Sequence, residues 1–346
     1  MSYYCMIRSW IGAGDVPGGA GIALTVLLLL AGLFFIVKGG DLFVSSASWI
    51  AEVSGIPKLV VGATVVSFAT TLPELLVSSF AAASGNVSIS VGNAVGSVTA
   101  NVGLIMAIGL MFMPCTVKRG DYALKSILML GGGAALLVLC RSMTLAFLPS
   151  LALVAIFAVF MTDNGARAVK EQRRSSSGKG TERRKIQNKK EIFSNIAKFI
   201  FGVAGIVVGA DLLSDNGQAI ALQMGVPPRI VAITVIAIGT SLPELVTTVT
   251  AIVKGENELS FGNIIGANII DIALILPVSA ALSKGGMLVI DNPRSVLIDM
   301  PVMIALGAVA LVPMLISGKF RRWQGALILA LYLIYLLLMF IGVIPI

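Results

Sequence analysis

The chain contains no histidine. This excludes His-based zinc sites, haem ligation and imidazole proton relays, so carboxylates are the titrating groups left for buried chemistry. Charge is scarce too: 12% of the 346 residues are Asp, Glu, Lys or Arg, against 57% hydrophobic residues and a mean hydropathy of +0.97. Soluble domains of this size are not composed this way; polytopic helical membrane proteins are. A transmembrane barrel is disfavoured, because its alternating strands give a far weaker apolar signal. Cysteine occurs three times (Cys5, Cys115, Cys140), scattered and without metal spacing, so no disulfide framework follows. The formal net charge of +8 lies mostly in one loop and reads as membrane topology, with no nucleic-acid partner.

What is present is an internal duplication. Residues 39–104 align with 209–274 at a constant offset of 170, with 22 of 66 positions identical. Thr70-Thr71-Leu72-Pro73-Glu74 matches Thr240-Ser241-Leu242-Pro243-Glu244, each inside an apolar run. A carboxylate beside a proline at membrane depth is costly and by default marks an ion or substrate path. Its recurrence at equivalent places points to a transporter with a midplane site where two repeats meet.

Hydropathy predicts an all-α polytopic membrane protein with ten transmembrane helices, at roughly 21–53, 57–83, 88–113, 120–139, 144–160, 193–224, 228–253, 258–283, 293–316 and 322–344. The implied organisation is an N-terminal tail (1–20), a first five-helix repeat (21–160), a basic loop (161–191) and a second five-helix repeat (192–346). Five spans per repeat force the second repeat to enter the membrane inverted. The first run continues into Gly39-Gly40-Asp41, which has a mate at Gly209-Ala210-Asp211, so it reads as a span and not as a cleaved leader. The loop around Arg167, Lys170, Arg173, Arg174, Arg183 and Arg184 belongs in the cytoplasm, and both termini then fall outside. The loops with Lys58, with Lys118 and Arg119, and with Lys319, Arg321 and Arg322 share the cytoplasmic side. Arg173 to Lys179 reads as disordered, in contact with anionic lipid or switched by serine phosphorylation.

Pro73 and Pro243 remove a helix hydrogen bond and crowd the preceding turn, so breaks are expected near Thr70 and Thr240. Freed carbonyls at membrane depth must be satisfied by protein or line a wet cavity, where they serve cations. Both Thr71-x-x-Glu74 and Ser241-x-x-Glu244 also fit a capping box, but a cap does not explain its own placement at mid-membrane in two spans. The other wall comes from Gly92-Asn93-x-x-Gly96 and Gly262-Asn263-x-x-Gly266, whose glycines allow close helix approach. Asn93, Ser97 and Asn101 share one helix face, with mates Asn263, Ala267 and Asp271. Asn93 and Asn263 read as interhelical glue, while Asn101 and Asp271 read as site residues. The donor set is all oxygen, which suits hard cations such as Ca2+ and Na+ and not Zn2+ or Cu+.

On these motifs the chain resembles the cation/Ca2+ exchanger superfamily, most of all the prokaryotic-type Na+/Ca2+ exchangers, whose repeats carry Gly-Thr-Ser-Leu-Pro-Glu and Gly-Asn-x-x-Gly-Ser-Asn. The resemblance implies a secondary active Na+/Ca2+ antiporter working by alternating access in a prokaryotic plasma (inner) membrane. It implies Glu74 and Glu244 as main Ca2+ ligands with Thr70 and Thr240 beside them. Ser67 and Ala237, through backbone oxygens, would bind Na+ together with Thr71, Ser241 and Ser97, and Asn101 and Asp271 would line the middle. No resident cofactor is implied, since Na+ and Ca2+ are cargo; the other partner is the bilayer, and oligomeric state is left open. The chain departs from the pattern at Ala69, Thr71, Val98 and, above all, Ala267, where the second repeat ordinarily offers a serine hydroxyl. An H+/Ca2+ or K+-dependent Na+/Ca2+ exchanger and a passive cation channel are the rival readings. An enzyme is not expected: Gly12-Ala13-Gly14-Asp15 is the one catalytic-looking string and lies in the tail.

Overall fold

The computed structural model describes residues 19–176, 184, 188–224, 239 and 241–341. It is built almost wholly of helices: α1 (Gly19–Ser54), α2 (Lys58–Ala83), α3 (Val87–Phe112), α4 (Arg119–Leu139), α5 (Phe147–Ser176), α6 (Lys189–Gln223), α7 (Leu242–Lys254), α8 (Asn257–Leu282), α9 (Ser295–Ser317) and α10 (Arg322–Phe340). Among the described residues, nine of these, all but α7, are long and apolar enough to cross a membrane. Among the described residues there are also four short strands: β1 (Cys115–Thr116), β2 (Thr144–Ala146), β3 (Met287–Val289) and β4 (Lys319–Phe320).

The helices are not equivalent. In the apolar windows of α8 and α3, 83% and 72% of residues are buried, against 22% in α5 and α6, so α3 and α8 form the centre. The outer helices turn Leu30, Phe34, Ile200, Phe201, Leu333 and Leu337 outward, as helices do when lipid is the solvent. Their apolar surface needs no cover in hydrocarbon, so packing comes from close approach, and glycine supplies it.

On α1 and α6 this is reciprocal. A Cβ on Gly39 would lie 2.7 Å from the Ile206 amide, and one on Gly202 would lie 2.7 Å from that of Phe43. Gly32 likewise abuts Leu212 and Gly209, which in turn abuts Ile36. Gly32 and Gly39 are the repeat counterparts of Gly202 and Gly209 at the offset of 170, so the contact maps onto itself when the repeats are exchanged. Gly62 of α2 meets the Leu259 carbonyl of α8, while Gly262 and Gly266 meet Leu59, Ala63 and Ser67. The expected close approach thus holds for the second-repeat glycines; Gly92 and Gly96 meet none of the described residues that closely.

The strands repeat the exchange. β1 pairs antiparallel with β4, and β2 with β3, so each pair takes one strand from each half. Lys58, the first residue of α2, ion-pairs with Glu256, just before α8, at 2.7 Å.

Two sequence expectations change. α5 does not stop near residue 160 but runs on to Ser176, so Arg173 to Ser176 are helical. Its polar stretch is held by ion pairs: Arg167 joins Asp163 one turn back at 2.7 Å and Asp121 of α4 at 2.8 Å, and Asp163 meets the fully buried Lys125 of α4 at 3.2 Å. The second is the break near Thr70. α2 continues through Thr70 and Pro73, and its irregularity is a π-helical turn at Gly62–Val66. Side-chain hydroxyls along it add bonds to the backbone carbonyls. Thr64 donates to the Val60 carbonyl, Ser67 to that of Thr64, and Thr70 to that of Ser67. The expected break at Thr240 lies outside the described residues, as do tail residues 1–18 and the loop segments 177–183 and 185–187.

Candidate functional site

At the centre, α2, α3, α7 and α8 bring polar side chains from both halves together. Glu74 of α2 and Glu244 of α7 are 2% and 1% exposed, and Asp271 of α8 is wholly buried. The Thr71 hydroxyl donates to Glu244 Oε1 over 3.4 Å, crossing from the first half to the second. Thr70 donates to Asn263 Oδ1 on α8 at 3.3 Å. Like charges in a low-dielectric interior repel strongly unless a cation lies among them.

The capping box is not how the glutamates are used. Ser241 stands at the N-cap of α7, yet its hydroxyl makes no cap bond and is buried without a partner. Thr71, in the equivalent place, is in mid-helix and turns to the opposite repeat.

Asn93 and Asn263 act as the expected glue. Asn93 Nδ2 donates to Ser78 Oγ at 2.9 Å and to the Glu74 carbonyl at 3.4 Å, tying α3 to α2. Asn263 Nδ2 donates to Thr247 Oγ1 at 3.0 Å, and Thr247 donates to the Glu244 carbonyl at 2.9 Å, tying α8 to α7. Each glutamate is therefore positioned by an asparagine on the neighbouring helix, directly for Glu74 and through Thr247 for Glu244.

Asn101 and Asp271 are repeat counterparts, and each opens a π-helical turn, Asn101–Met106 and Asp271–Ile275. Such turns inside α-helices recur at functional sites. Asn101 Nδ2 donates to Asn268 Oδ1 at 3.1 Å, joining the two central helices.

What remains is a set of unspent oxygens. Glu74 Oε2, Glu244 Oε2, both oxygens of Asp271, Asn101 Oδ1, Ser97 Oγ and Ser241 Oγ are buried with no hydrogen-bond partner among the described residues. Buried hydroxyls such as Ser48, Tyr122 and Ser279 are unpartnered too, but buried polar groups are normally satisfied, and carboxylate oxygens left over on all three buried acids fit acceptors kept for a cation. Among the described residues no three acids form one compact metal cage, and the donors are a mixture of carboxylate, hydroxyl and amide. Ser67 lies in the same region, its carbonyl accepting from Thr70. Ala237 and Thr240 lie outside the described residues. Sequence reasoning missed Ser78, Thr247 and Asn268. Asn268 carried a signal, since it stands where the first half has Val98; Ser78 and Thr247 look like ordinary helix hydroxyls until their partners are seen.

A lipid-facing helical bundle around a buried polar centre defines an integral membrane protein of the transporter class. A family model described as sodium/calcium exchanger protein matches residues 24–162 and 194–341, and the chain belongs to this family. It is 32% identical to the sodium/calcium exchanger MaX1 of Methanosarcina acetivorans, over 92% of this chain and 99% of that protein. It is 29% identical to membrane protein MJ0091 of Methanocaldococcus jannaschii, over 90% of this chain and 97% of that one. Among solved structures it is similar to the sodium-calcium exchanger NCX_Mj soaked with Na+ and Sr2+, with a TM-score of 0.77, 28% identity, and 91% and 98% of the two chains covered.

Proposed function

We propose that the chain is a secondary active antiporter that exchanges Na+ for Ca2+ by alternating access, with ten spans in two inverted five-helix repeats. Strand pairing supports the tenth span. β1 and β4 share a membrane face, so an even number of crossings must separate them, yet only α4, α5, α6, α8 and α9 of the nine apolar spans lie between. The β2–β3 pair encloses α5, α6 and α8 and has the same deficit. One further crossing between Gln223 and Asn257, completed by α7, restores parity in both. The swapped α1–α6 and strand contacts support a pseudo-twofold relation between 21–160 and 192–346.

The basic loop 161–191 lies in the cytoplasm with the β1–β4 face, and both termini, including tail 1–20, lie outside. The setting is a prokaryotic inner membrane, and one chain holds a whole site.

Glu74 and Glu244 grip Ca2+, with Thr70 and Thr240 beside them. The backbone oxygens of Ser67 and Ala237, with Thr71, Ser241 and Ser97, hold Na+, while Asn101 and Asp271 line the middle. The ions are cargo, and no resident cofactor takes part. Shared use of the two glutamates makes Na+ and Ca2+ compete, so the acids are neutralised whenever the site is closed. The α1–α6 pair then slides over the glycine-locked α2–α8 core to change access.

The observation that carries this reading is the Thr71–Glu244 contact between halves, amid unspent carboxylate oxygens. The experiment is uptake of radiolabelled Ca2+ into proteoliposomes driven by a Na+ gradient alone, against H+ or K+ gradients alone. Na+-driven uptake is expected; uptake only with the other gradients, or flux that fails to saturate, overturns it.

A further inference from the structure

Among the described residues, α1 is fastened to the core by charge. Asp41 of α1 meets Lys254, the last residue of α7, at 2.6 Å, and Lys254 Nζ also donates to Ser45 Oγ at 2.9 Å. Beside this contact α1 comes against α7 itself: a Cβ on Gly40 would lie 2.8 Å from both Thr250 Oγ1 and Val246 Cγ1. A second ionic contact joins the same parts, since Lys58 of α2 holds Glu256 at 2.7 Å and reaches Glu52 of α1 at 3.8 Å. Glu256 is two residues beyond Lys254, and Glu52 also pairs with Arg184 of the basic loop at 3.4 Å. Both contacts therefore lie toward the end of the bundle that carries that loop.

Exchanging the repeats reproduces neither contact. At the offset of 170, Asp41 maps to Asp211 but Lys254 maps to Ser84. Lys58, Glu52 and Glu256 map to Pro228, Leu222 and Asn86, none of them charged. The packing differs as well. The mates of Val246 and Thr250 are Leu76 and Phe80, which are 48% and 71% exposed. Ser84 donates its hydroxyl to the Ala81 carbonyl of its own helix. A cavity of about 660 Å3 lies between α6 and α2, lined in part by Ala69, Leu72, Val207 and Asp211. Thus α1 closes on α7, while the equivalent approach of α6 to α2 is left open.

We propose that Lys254, with Asp41 and Ser45, is an ionic clasp that biases the carrier toward the state closed at the basic-loop end. In an inverted-repeat carrier the opposite state exchanges the roles of the two halves. There α6 closes on α2, and Ser84 offers Asp211 no cation. The two states then differ by an ion pair that only one of them holds, and their equilibrium shifts by that difference. The inference rests on the alternating-access reading above and assigns Lys254 a role outside the cation site.

The test uses Thr250→Cys, which lies under α1, in a chain with Cys5, Cys115 and Cys140 replaced by serine. Its labelling by an impermeant thiol reagent is followed from the basic-loop side of oriented vesicles. Lys254→Met and Asp41→Asn are each expected to speed labelling up to about fivefold, the scale of a part-exposed ion pair. The exchanged pair, Asp41→Lys with Lys254→Asp, is expected to return it toward the parent rate. Ser84→Lys, which supplies a cation opposite Asp211, is expected to speed labelling from the far end, where it cannot uncover Thr250 locally. Na+-driven Ca2+ uptake by each variant checks that it is folded. Two results overturn the clasp and leave the antiporter standing, provided uptake is retained. One is labelling at the parent rate in both Lys254→Met and Asp41→Asn. The other is acceleration that the exchanged pair does not reverse and Ser84→Lys does not reproduce. No Na+-driven uptake in the parent sinks the antiport reading itself.

Discussion

Thr71 and Glu244 lie 173 positions apart in the chain, and the hydroxyl of one donates to the carboxylate of the other at 3.4 Å. Thr71 has a glutamate three residues away on its own helix, yet its hydrogen bond goes to the opposite repeat. The carboxylate of one half is therefore held partly by a hydroxyl of the other, which couples the repeats at the buried polar centre.

Glu74→Gln and Glu244→Gln are expected to reduce Na+-driven Ca2+ uptake by about thirtyfold to several thousandfold, since losing one of two buried charges facing a cation costs ~2–5 kcal/mol. Thr71→Val keeps the shape and removes the donor. Its expected loss is smaller, about 1.5–3 kcal/mol in Ca2+ affinity. Uptake unchanged in either glutamate variant would falsify the site assignment.

Ca2+ itself should stabilise the folded protein. At a hundred times its dissociation constant the gain is about 2.7 kcal/mol, read as a rise in melting temperature of the detergent-solubilised protein and reversed by chelator. Glu244→Gln should lose this rise. A Ca2+-dependent shift of full size in that variant would place the ion elsewhere.

The glycine contact between α1 and α6 leaves no space for side chains. Gly202→Val would drive two methyls into the Phe43 backbone, with an overpacking cost of about 1–3 kcal/mol. Transport should fall while Ca2+ binding, sited on other helices, persists. Loss of both together would show that α1 and α6 do not move independently of the core.

Lys125 is buried and paired with Asp163. Asp163→Ala is expected to destabilise the protein by about 3–5 kcal/mol, because it strands a buried charge. The double variant Lys125→Met with Asp163→Ala should recover part of that loss in thermal unfolding. A single variant as stable as the parent would mean that Arg167 and solvent carry the contact instead.

The strand pairs test the membrane topology. With Cys115 replaced by serine, cysteines at Thr116 and Lys319 should cross-link, as should cysteines at Thr144 and Val289, because each pair is in register. Impermeant thiol reagents should reach the first pair from the cytoplasmic side and the second from outside. Labelling of both pairs from one side would refute the inverted arrangement.

Much of the site was legible in the chain because burying a carboxylate in hydrocarbon is expensive. Glu74, Glu244 and Asp271 stand out against apolar sequence, and the duplication says that the first two are equivalent. The hydrogen bonds were not legible. Spacing suggested a local cap for each glutamate, while the fold uses Thr71 across the interface and leaves Ser241 unspent. No break occurs at Thr70: α2 runs through Pro73, its irregularity is a π-helical turn at Gly62–Val66, and hydroxyls of Thr64, Ser67 and Thr70 donate to carbonyls of the preceding turn. A proline reports that a helix bond is lost but not how neighbouring side chains will make it good.

By itself the sequence determined that this chain lives in a membrane, that its halves are related, and that acids and hydroxyls would be buried at membrane depth. These follow from transfer energies and residue chemistry, which depend on composition and order alone. Only the tertiary structure decided which oxygens stay unspent, which asparagine holds which glutamate, and which glycines lock α2 to α8. Those outcomes depend on how two helices approach, and close approach is a property of facing surfaces that no single segment contains.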